Sequence, residues 1–207
     1  VVNVVSGLYT PPSGRMRLRG AALPTGSLYR VARSGVARTF QNLQLFGELT
    51  ALENVLVALR GAYRSPLPLV MLGLAQPEER RARADALALL DFIGLREEAL
   101  TRAKDLTYGA QRFLEIARAL ARRPEVLILD EPAAGLAHPD VLQQIEIIRR
   151  LHQRGITIIL IEHHMDVVSE LCDTVTVLDG GKVIAEGTPE DVKRDPRVIE
   201  AYLGQPG

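Results

Sequence analysis

The stretch VLILDEP, from Val126 to Pro132, decides the fold class of this sequence. Its four successive apolar residues are typical of a strand buried on both faces of a parallel sheet. A second apolar run, from Ile156 to Ile161, is rich in β-branched residues and predicts another buried strand. A helical pattern from Pro139 to Gln153 separates the two runs. Strands that alternate with helices in this way predict an α/β fold with a mostly parallel sheet.

The region of about 49–122 has a helical character, and we interpret it as a helical subdomain. Thr50 and Glu53 have the spacing of a capping box, which opens a helix. Apolar residues recur at helical spacing within 77–95, and a further helix is predicted for Gln111 to Arg122.

The two ends of the chain complete the predicted domain. Val36 to Gln41 predicts a strand that enters a loop, whereas Val1 to Leu8 fits either a strand or the tail of a helix. The last part, 174–207, is predicted to hold a hairpin followed by helices, with a helical and amphipathic pattern over Pro189–Leu203. We therefore expect a single domain over 1–207.

Composition narrows the class of protein. The 207 residues are 47% hydrophobic, which is enough for a packed core. Twenty-five basic and 25 acidic residues balance, so no electrostatic feature favours nucleic acid. Cys172 is the one cysteine, which excludes an internal disulfide. No apolar run approaches the ~20 residues of a membrane helix, and the N-terminus lacks a signal-peptide pattern. We expect a chain that stays inside the cell and could dock on a membrane protein.

Asp130 and Glu131 end the predicted central strand, and ligand sites of open α/β sheets lie at such strand ends. An aspartate there can hold Mg²⁺ directly or through water. A neighbouring glutamate can orient and deprotonate an attacking water. Taken alone, the pair is equally compatible with a solvated acidic turn.

The segment LTYGAQ, from Leu106 to Gln111, directly precedes a helix. A hydroxyl from Thr107, a glycine at Gly109 that permits close approach and free helix N–H groups together make an anion site. In isolation, an ordinary helix with Thr107 as its N-cap explains the segment better.

Two further polar residues follow strands. His163 lies just past the Ile156–Ile161 run and could reach a terminal phosphate. His163, His164 and Asp166 could also suggest a metal, but zinc is weakly supported because no further ligand lies at the right spacing. An isolated histidine at a strand end is usually structural, and Gln41, taken alone, is a plain polar loop residue.

The order of these segments resembles that of ABC-type ATPases. A glutamine after a strand, a helical stretch, [ST]-x-G before a helix, a strand ending in Asp-Glu and a strand ending in His follow one another. The closing segment from Val175 to Val192 is similar to the same family, so the resemblance covers essentially the whole chain. Two stretches, Gly35 to Ala58 and Leu106 to Leu136, look like the ATP-binding subunit of branched-chain amino-acid (Leu/Ile/Val) importers. Related importers of amides and urea share much of this pattern.

The resemblance implies a P-loop NTPase-like fold, ATP and Mg²⁺ as cofactors, and specific roles for the strand-end residues. Asp130 would serve Mg²⁺, Glu131 would be the general base and His163 would contact the γ-phosphate. Gln41 would sense Mg²⁺ and the attacking water, and would link the site to the membrane subunit.

The resemblance also implies partners. A second ABC ATPase subunit, identical or different, would pair with this one, and Thr107, Gly109 and Gln111 would close on the ATP of that partner. The segment after Gln41 would receive the coupling helix of a transmembrane permease. A substrate-binding protein would deliver the substrate to that permease and would be an indirect partner of this chain. The expected location is the cytoplasmic face of the inner membrane, with no role in nucleic-acid binding.

One departure from the family pattern is large. No G-x-x-x-x-G-K-[ST] motif, the Walker A P-loop, occurs in the sequence, and none of its three lysines, Lys104, Lys182 and Lys193, has that context. Val1–Tyr9 resembles the continuation of the helix that starts at the P-loop. We therefore expect the first strands of the family fold to be missing, a central strand among them, and apolar surface to be exposed. The chain alone should bind ATP poorly and be inactive.

Smaller departures affect Ala137, where Asp or Asn is common, and His164, where Asp is frequent.

Two other functions stay open. A chain without a P-loop could be a non-catalytic half that donates its signature helix to a complete partner. A soluble ABC ATPase of DNA repair or translation is disfavoured by the neutral charge.

Overall fold

A computed structural model of the protein describes residues 2–39, 43–59 and 76–203. The strands in these ranges are β1 Arg17–Leu18, β2 Ala21–Ala22, β3 Val36–Arg38, β4 Val126–Asp130, β5 Thr157–Ile161, β6 Val175–Asp179 and β7 Lys182–Gly187. The helices are α1 Val2–Val5, α2 Leu28–Arg33, α3 Ala51–Leu59, α4 Gln76–Phe92, α5 Tyr108–Leu120, α6 His138–Gln153, α7 Met165–Leu171, α8 Pro189–Arg194 and α9 Pro196–Leu203. A 3-10 turn, Ala103–Asp105, precedes α5.

The central feature is a parallel sheet in the order β3-β4-β5. Val126 on β4 is in register with Val36 on one side and with Thr157 on the other. Apolar residues of β4 are buried on both faces, as its unbroken apolar run predicts. The predicted α/β fold with a largely parallel sheet is confirmed.

β5 is an edge strand within the described ranges. The side chain of Ile159 is 38% exposed although it lies in a strongly apolar run, so the sheet face on which it lies is open there. The apolar face of a sheet is normally covered by packed helices or by a second sheet.

Helices α3, α4 and α5 pack together and enclose the largest apolar cluster, which also receives Leu127 and Leu129 of β4. The capping box predicted at the start of α3 is present. The backbone N–H of Thr50 donates to Glu53 Oε2 at 2.8 Å, and the N–H of Glu53 donates back to Thr50 Oγ1 at 3.2 Å. These helices fall within the range predicted as a helical subdomain, whose independence as a unit stays a prediction.

The C-terminal part holds the predicted hairpin, formed by the antiparallel strands β6 and β7. Ala185, Val192 and Val198 form a small apolar cluster beneath it. The range Pro189–Leu203, predicted to be helical, holds two separate helices, α8 and α9. Asp195 between them is extended, with ψ at 121°, as the residue before a proline prefers.

At the N-terminal end the structure decides between strand and helix, since Val2–Val5 is helical. None of the helices in the described ranges is both long and apolar enough to cross a bilayer.

Candidate functional site

The carboxyl edge of the parallel sheet carries two acidic residues, Asp130 and Glu131. The backbone of Glu131 has a φ of +46°, a conformation that non-glycine residues rarely adopt. Its N–H donates to the carbonyl of Ile161 on β5 at 2.9 Å, which holds the strained residue in place. Strain of this kind at a strand end is typical of functional sites.

His163 lies on the same edge, just beyond β5. Its Nδ1 atom is 3.9 Å from Glu131 Oε1, and its side chain is half exposed. The structure thus brings together three of the predicted site residues, Asp130, Glu131 and His163. Gln41, the fourth predicted residue of this edge, lies outside the described residues.

Arg38, on β3, is a member of this edge that the sequence motifs did not indicate. Its Nη2 atom pairs with Asp130 Oδ2 at 2.6 Å. Its Nη1 atom donates to Asn3 Oδ1 at 2.7 Å and to Ser6 Oγ at 3.0 Å. Both partners of the ion pair are largely shielded from solvent, so it contributes to the local geometry more than an exposed pair would.

The acidic pair fits Mg²⁺ by donor type, because this ion prefers carboxylate oxygens together with several waters. Arg38 pairs with Oδ2 of Asp130, so a cation held by this carboxylate would use its other oxygen, Oδ1. Asp130 is therefore a suitable ligand, with Arg38 fixing its orientation.

Glu162 is a second residue that the motifs missed. It is the last residue before His163, and its side chain is completely buried. Glu162, His163 and His164 bring potential metal-ligand atoms within 4.8 Å of one another, the one such group found within the described ranges. The Oε2 atom of Glu162 already accepts hydrogen bonds from three donors, so it is poorly available to a metal.

A separate group of predicted residues lies at the start of α5. Thr107 is its N-cap, with Oγ1 accepting from the N–H of Ala110 at 3.3 Å. Gln111 Nε2 donates to the carbonyl of Leu106 at 3.0 Å, which closes the turn. Capping thus explains the local role of Thr107, and it leaves the anion-binding role of Thr107, Gly109 and Gln111 as a prediction.

Tyr108 connects this turn to the segment after Glu131. Its hydroxyl donates to the carbonyl of Ala134 at 3.2 Å and accepts from Arg112 Nε at 3.0 Å. On the other side, a Cβ on Gly109 would overlap the carboxylate of Asp140 in α6. A larger residue at position 109 would therefore require the Asp140 side chain to move.

The chain that resumes after Gln41 is held by α5. The N–H of Gln44 donates to Glu115 Oε1 at 2.8 Å, and Arg118 Nη1 donates to the carbonyl of Gln44. The guanidinium of Arg118 also lies 5.0 Å from the centre of the Phe46 ring. The predicted signature helix and the segment after Gln41 are thus connected directly.

Burial raises the pKa of Glu115 above its ordinary value of 4.5, although the Gln44 N–H, Arg112 and Arg118 act in the opposite direction. Between 4.5 and the raised folded-state pKa, the folded chain therefore holds a proton that the unfolded chain has lost. The free energy of unfolding should fall as pH rises through this window. Relative to Glu115→Gln, the wild type should lose stability over the same interval, as urea unfolding at a series of pH values would measure.

Glu53→Gln is the matched control, because hydrogen bonds from Thr50 lower the pKa of Glu53. Its contribution has the opposite sign: it is present above the ordinary pKa and is lost as pH falls through the lowered one. The same sign for both variants would contradict the assignment at Glu115.

Comparisons with known proteins agree with this geometry. A family model described as ABC transporter matches residues 1–134. A second, described as branched-chain amino acid ATP-binding cassette transporter, matches residues 182–206.

The chain is 42% identical over 211 residues to the high-affinity branched-chain amino acid transport ATP-binding protein LivG of Escherichia coli strain K12, covering 99% of this chain and 82% of that protein. It is 40% identical over 215 residues to the protein BraF of Pseudomonas aeruginosa, which carries the same description, with coverage of 99% and 82%. Among solved structures, the ADP conformation of MJ1267, an ATP-binding cassette of an ABC transporter, aligns with a TM-score of 0.84 at 31% identity, covering 99% of this chain and 82% of that one.

Proposed function

Because this chain belongs to the ABC transporter family of ATP-binding proteins, we propose that it is the ATP-hydrolysing subunit of an importer for branched-chain amino acids. The observation that carries the proposal is the convergence of Asp130, Glu131 and His163 on one edge of a parallel sheet, within a chain 42% identical to such a protein over nearly its whole length. The match of residues 182–206 to the family model for branched-chain amino acid transporters supports the substrate class.

Glu131 is the general base in this proposal. Its carboxylate lies at the strand end beside His163, where it can take a proton from a water that attacks the γ-phosphate of ATP. The strained backbone at Glu131 and its hydrogen bond to Ile161 fix the point from which the side chain projects before substrate arrives. Such preorganisation spares the reaction a costly rearrangement.

His163 and Asp130 serve the charged groups of the substrate. The half-exposed imidazole of His163 is free of the core and is positioned to donate a hydrogen bond to the γ-phosphate. Asp130, oriented by Arg38, would hold Mg²⁺, which neutralises phosphate charge when it is bound. Gln41 is proposed to orient the attacking water.

A second subunit would complete the site. Thr107, Gly109 and Gln111 start a helix whose N-terminal N–H groups can receive a phosphate of ATP that the partner subunit holds. The segment after Gln41, tied to α5 through Glu115 and Arg118, is the proposed contact with a transmembrane permease. A movement of the permease against this segment would then be transmitted to α5.

The 207 residues contain no P-loop, the nest of backbone N–H groups that holds the β- and γ-phosphates. Tight, Mg²⁺-dependent ATP binding by these residues alone would contradict our expectation. The intact mass of the polypeptide from its native cell distinguishes the hydrolysing subunit from a non-catalytic half. A mass several kilodaltons above 22.7 kDa would support the hydrolysing subunit, and a mass of 22.7 kDa would support the non-catalytic half.

Transport assays test the substrate class. Deleting the gene from its native cell should abolish high-affinity uptake of labelled leucine, isoleucine and valine, and the wild-type gene should restore it. Uptake of urea and of short amides serves as the control and should be unchanged. Loss of urea or amide uptake, with leucine uptake intact, would assign the chain to that related class of importer.

A further inference from the structure

We propose that Glu162 is a positioning residue that fixes the distance between the catalytic base Glu131 and His163. The inference rests on the proposed function, because it assigns Glu162 a part in the same hydrolytic site. The side chain is completely buried, which is rare for a carboxylate unless hydrogen bonds compensate it.

The two oxygens of Glu162 bind two different segments. Oε1 accepts from the backbone N–H of Ala133 at 3.0 Å. Oε2 accepts from the backbone N–H of His163 at 3.1 Å and from that of His164 at 3.3 Å. The ring Nδ1 of His164 lies 3.0 Å from the same oxygen and completes the set as a donor.

These segments are the ones that carry the reacting side chains. Ala133 belongs to the turn that begins at Glu131, where the N–H of Ala134 donates to the carbonyl of Glu131 at 3.1 Å. The other end of the carboxylate holds the backbone of His163 itself. One rigid group therefore spans the gap across which Glu131 Oε1 and His163 Nδ1 are 3.9 Å apart.

Only a carboxylate meets the demands of this position. Every group that faces its two oxygens is a donor, so each oxygen must accept. The amide of a glutamine would turn an NH₂ group towards backbone N–H donors at one end, and it would break either the Ala133 contact or the histidine contacts. A buried donor left without an acceptor is costly, so the loop would shift to find another partner.

The test compares Glu162→Gln and Glu162→Asp with the wild type in the intact transporter, purified with its membrane subunits from the native cell. Glu186→Gln is the matched control, since Glu186 is exposed on β7 in the C-terminal hairpin. For Glu162→Gln we expect kcat for ATP hydrolysis to fall roughly tenfold to a hundredfold, the range found when a residue that orients a metal ligand is lost.

The KM for ATP should change by less than about twofold, because Glu162 is proposed to act on the chemical step and not on binding. Glu162→Asp keeps both acceptors on a shorter side chain and should retain more activity than Glu162→Gln. A purely structural role would instead lower the amount of folded complex and leave kcat per folded molecule unchanged.

Amide hydrogen exchange provides a second readout that does not depend on activity. The N–H groups of Ala133, His163 and His164 should be protected in the wild type and should lose protection selectively in Glu162→Gln. Unprotected amides in the wild type, or full kcat in a folded Glu162→Gln complex, would overturn the inference. A wild-type complex that hydrolyses no ATP would instead contradict the proposed function.

Discussion

Replacing Glu131 by glutamine should lower ATP hydrolysis by the intact transporter at least roughly a hundredfold, within the range that general-base catalysis contributes. Glutamine has nearly the same shape but cannot take a proton from water. The backbone bond from Glu131 to Ile161 does not involve the side chain, so the strand end should keep its conformation. Binding of ATP should therefore persist while turnover stops.

Steady-state phosphate release and the affinity for a fluorescent ATP analogue would measure the two quantities separately. Glu125→Gln is the control, because Glu125 lies at the opposite end of β4 and pairs with Arg19 on the surface at 2.9 Å. It should leave hydrolysis unchanged. A Glu131→Gln transporter that turns over at the wild-type rate would exclude Glu131 as the base.

The second large effect is expected on stability. Leu127, in the middle of β4, is fully buried and in register with Ala37 and Ile158 on the neighbouring strands. Leu127→Ala should lower the free energy of unfolding by roughly 3 to 4 kcal/mol, because the lost side chain leaves a cavity in a well-packed layer. For a domain of this size that corresponds to a fall in Tm of about 10 °C.

Urea and thermal unfolding would measure this loss. Leu142→Ala is the matched control, since Leu142 is 54% exposed on α6 and should change stability by less than about 0.5 kcal/mol. Equal effects from both variants would mean that β4 is not the centre of the core.

How well the sequence predicts the structure differs from one element to another. Strands β4 and β5 were predictable because unbroken apolar runs of this length have few alternatives to burial in a sheet. The hairpin and the capping box of α3 depend on residues that are close in sequence, and they too follow from local chemistry. The break between α8 and α9 is local as well, because Asp195 precedes Pro196 and is extended.

The contacts that organise the site join residues that are far apart in the sequence. Arg38 reaches Asp130 across 92 positions, Glu115 reaches Gln44 across 71 and Glu162 reaches Ala133 across 29. No periodicity or short motif records such pairs, since each residue on its own is an ordinary charged side chain beside a strand or in a helix. Glu162 directly precedes two exposed histidines, yet its own charged side chain is completely buried.

The sequence by itself therefore determined the class of fold, the strand ends that carry Asp130, Glu131 and His163, and the family. All three follow from apolar runs and from the order of motifs, and both can be recognised along the sequence without knowing the tertiary contacts. The tertiary structure alone decided that Arg38 orients Asp130, that Glu115 ties α5 to the segment after Gln41, and that Glu162 spans the two catalytic segments. The physical reason is that a buried charge must find its partners, and only the packed chain brings distant donors and acceptors within hydrogen-bond distance.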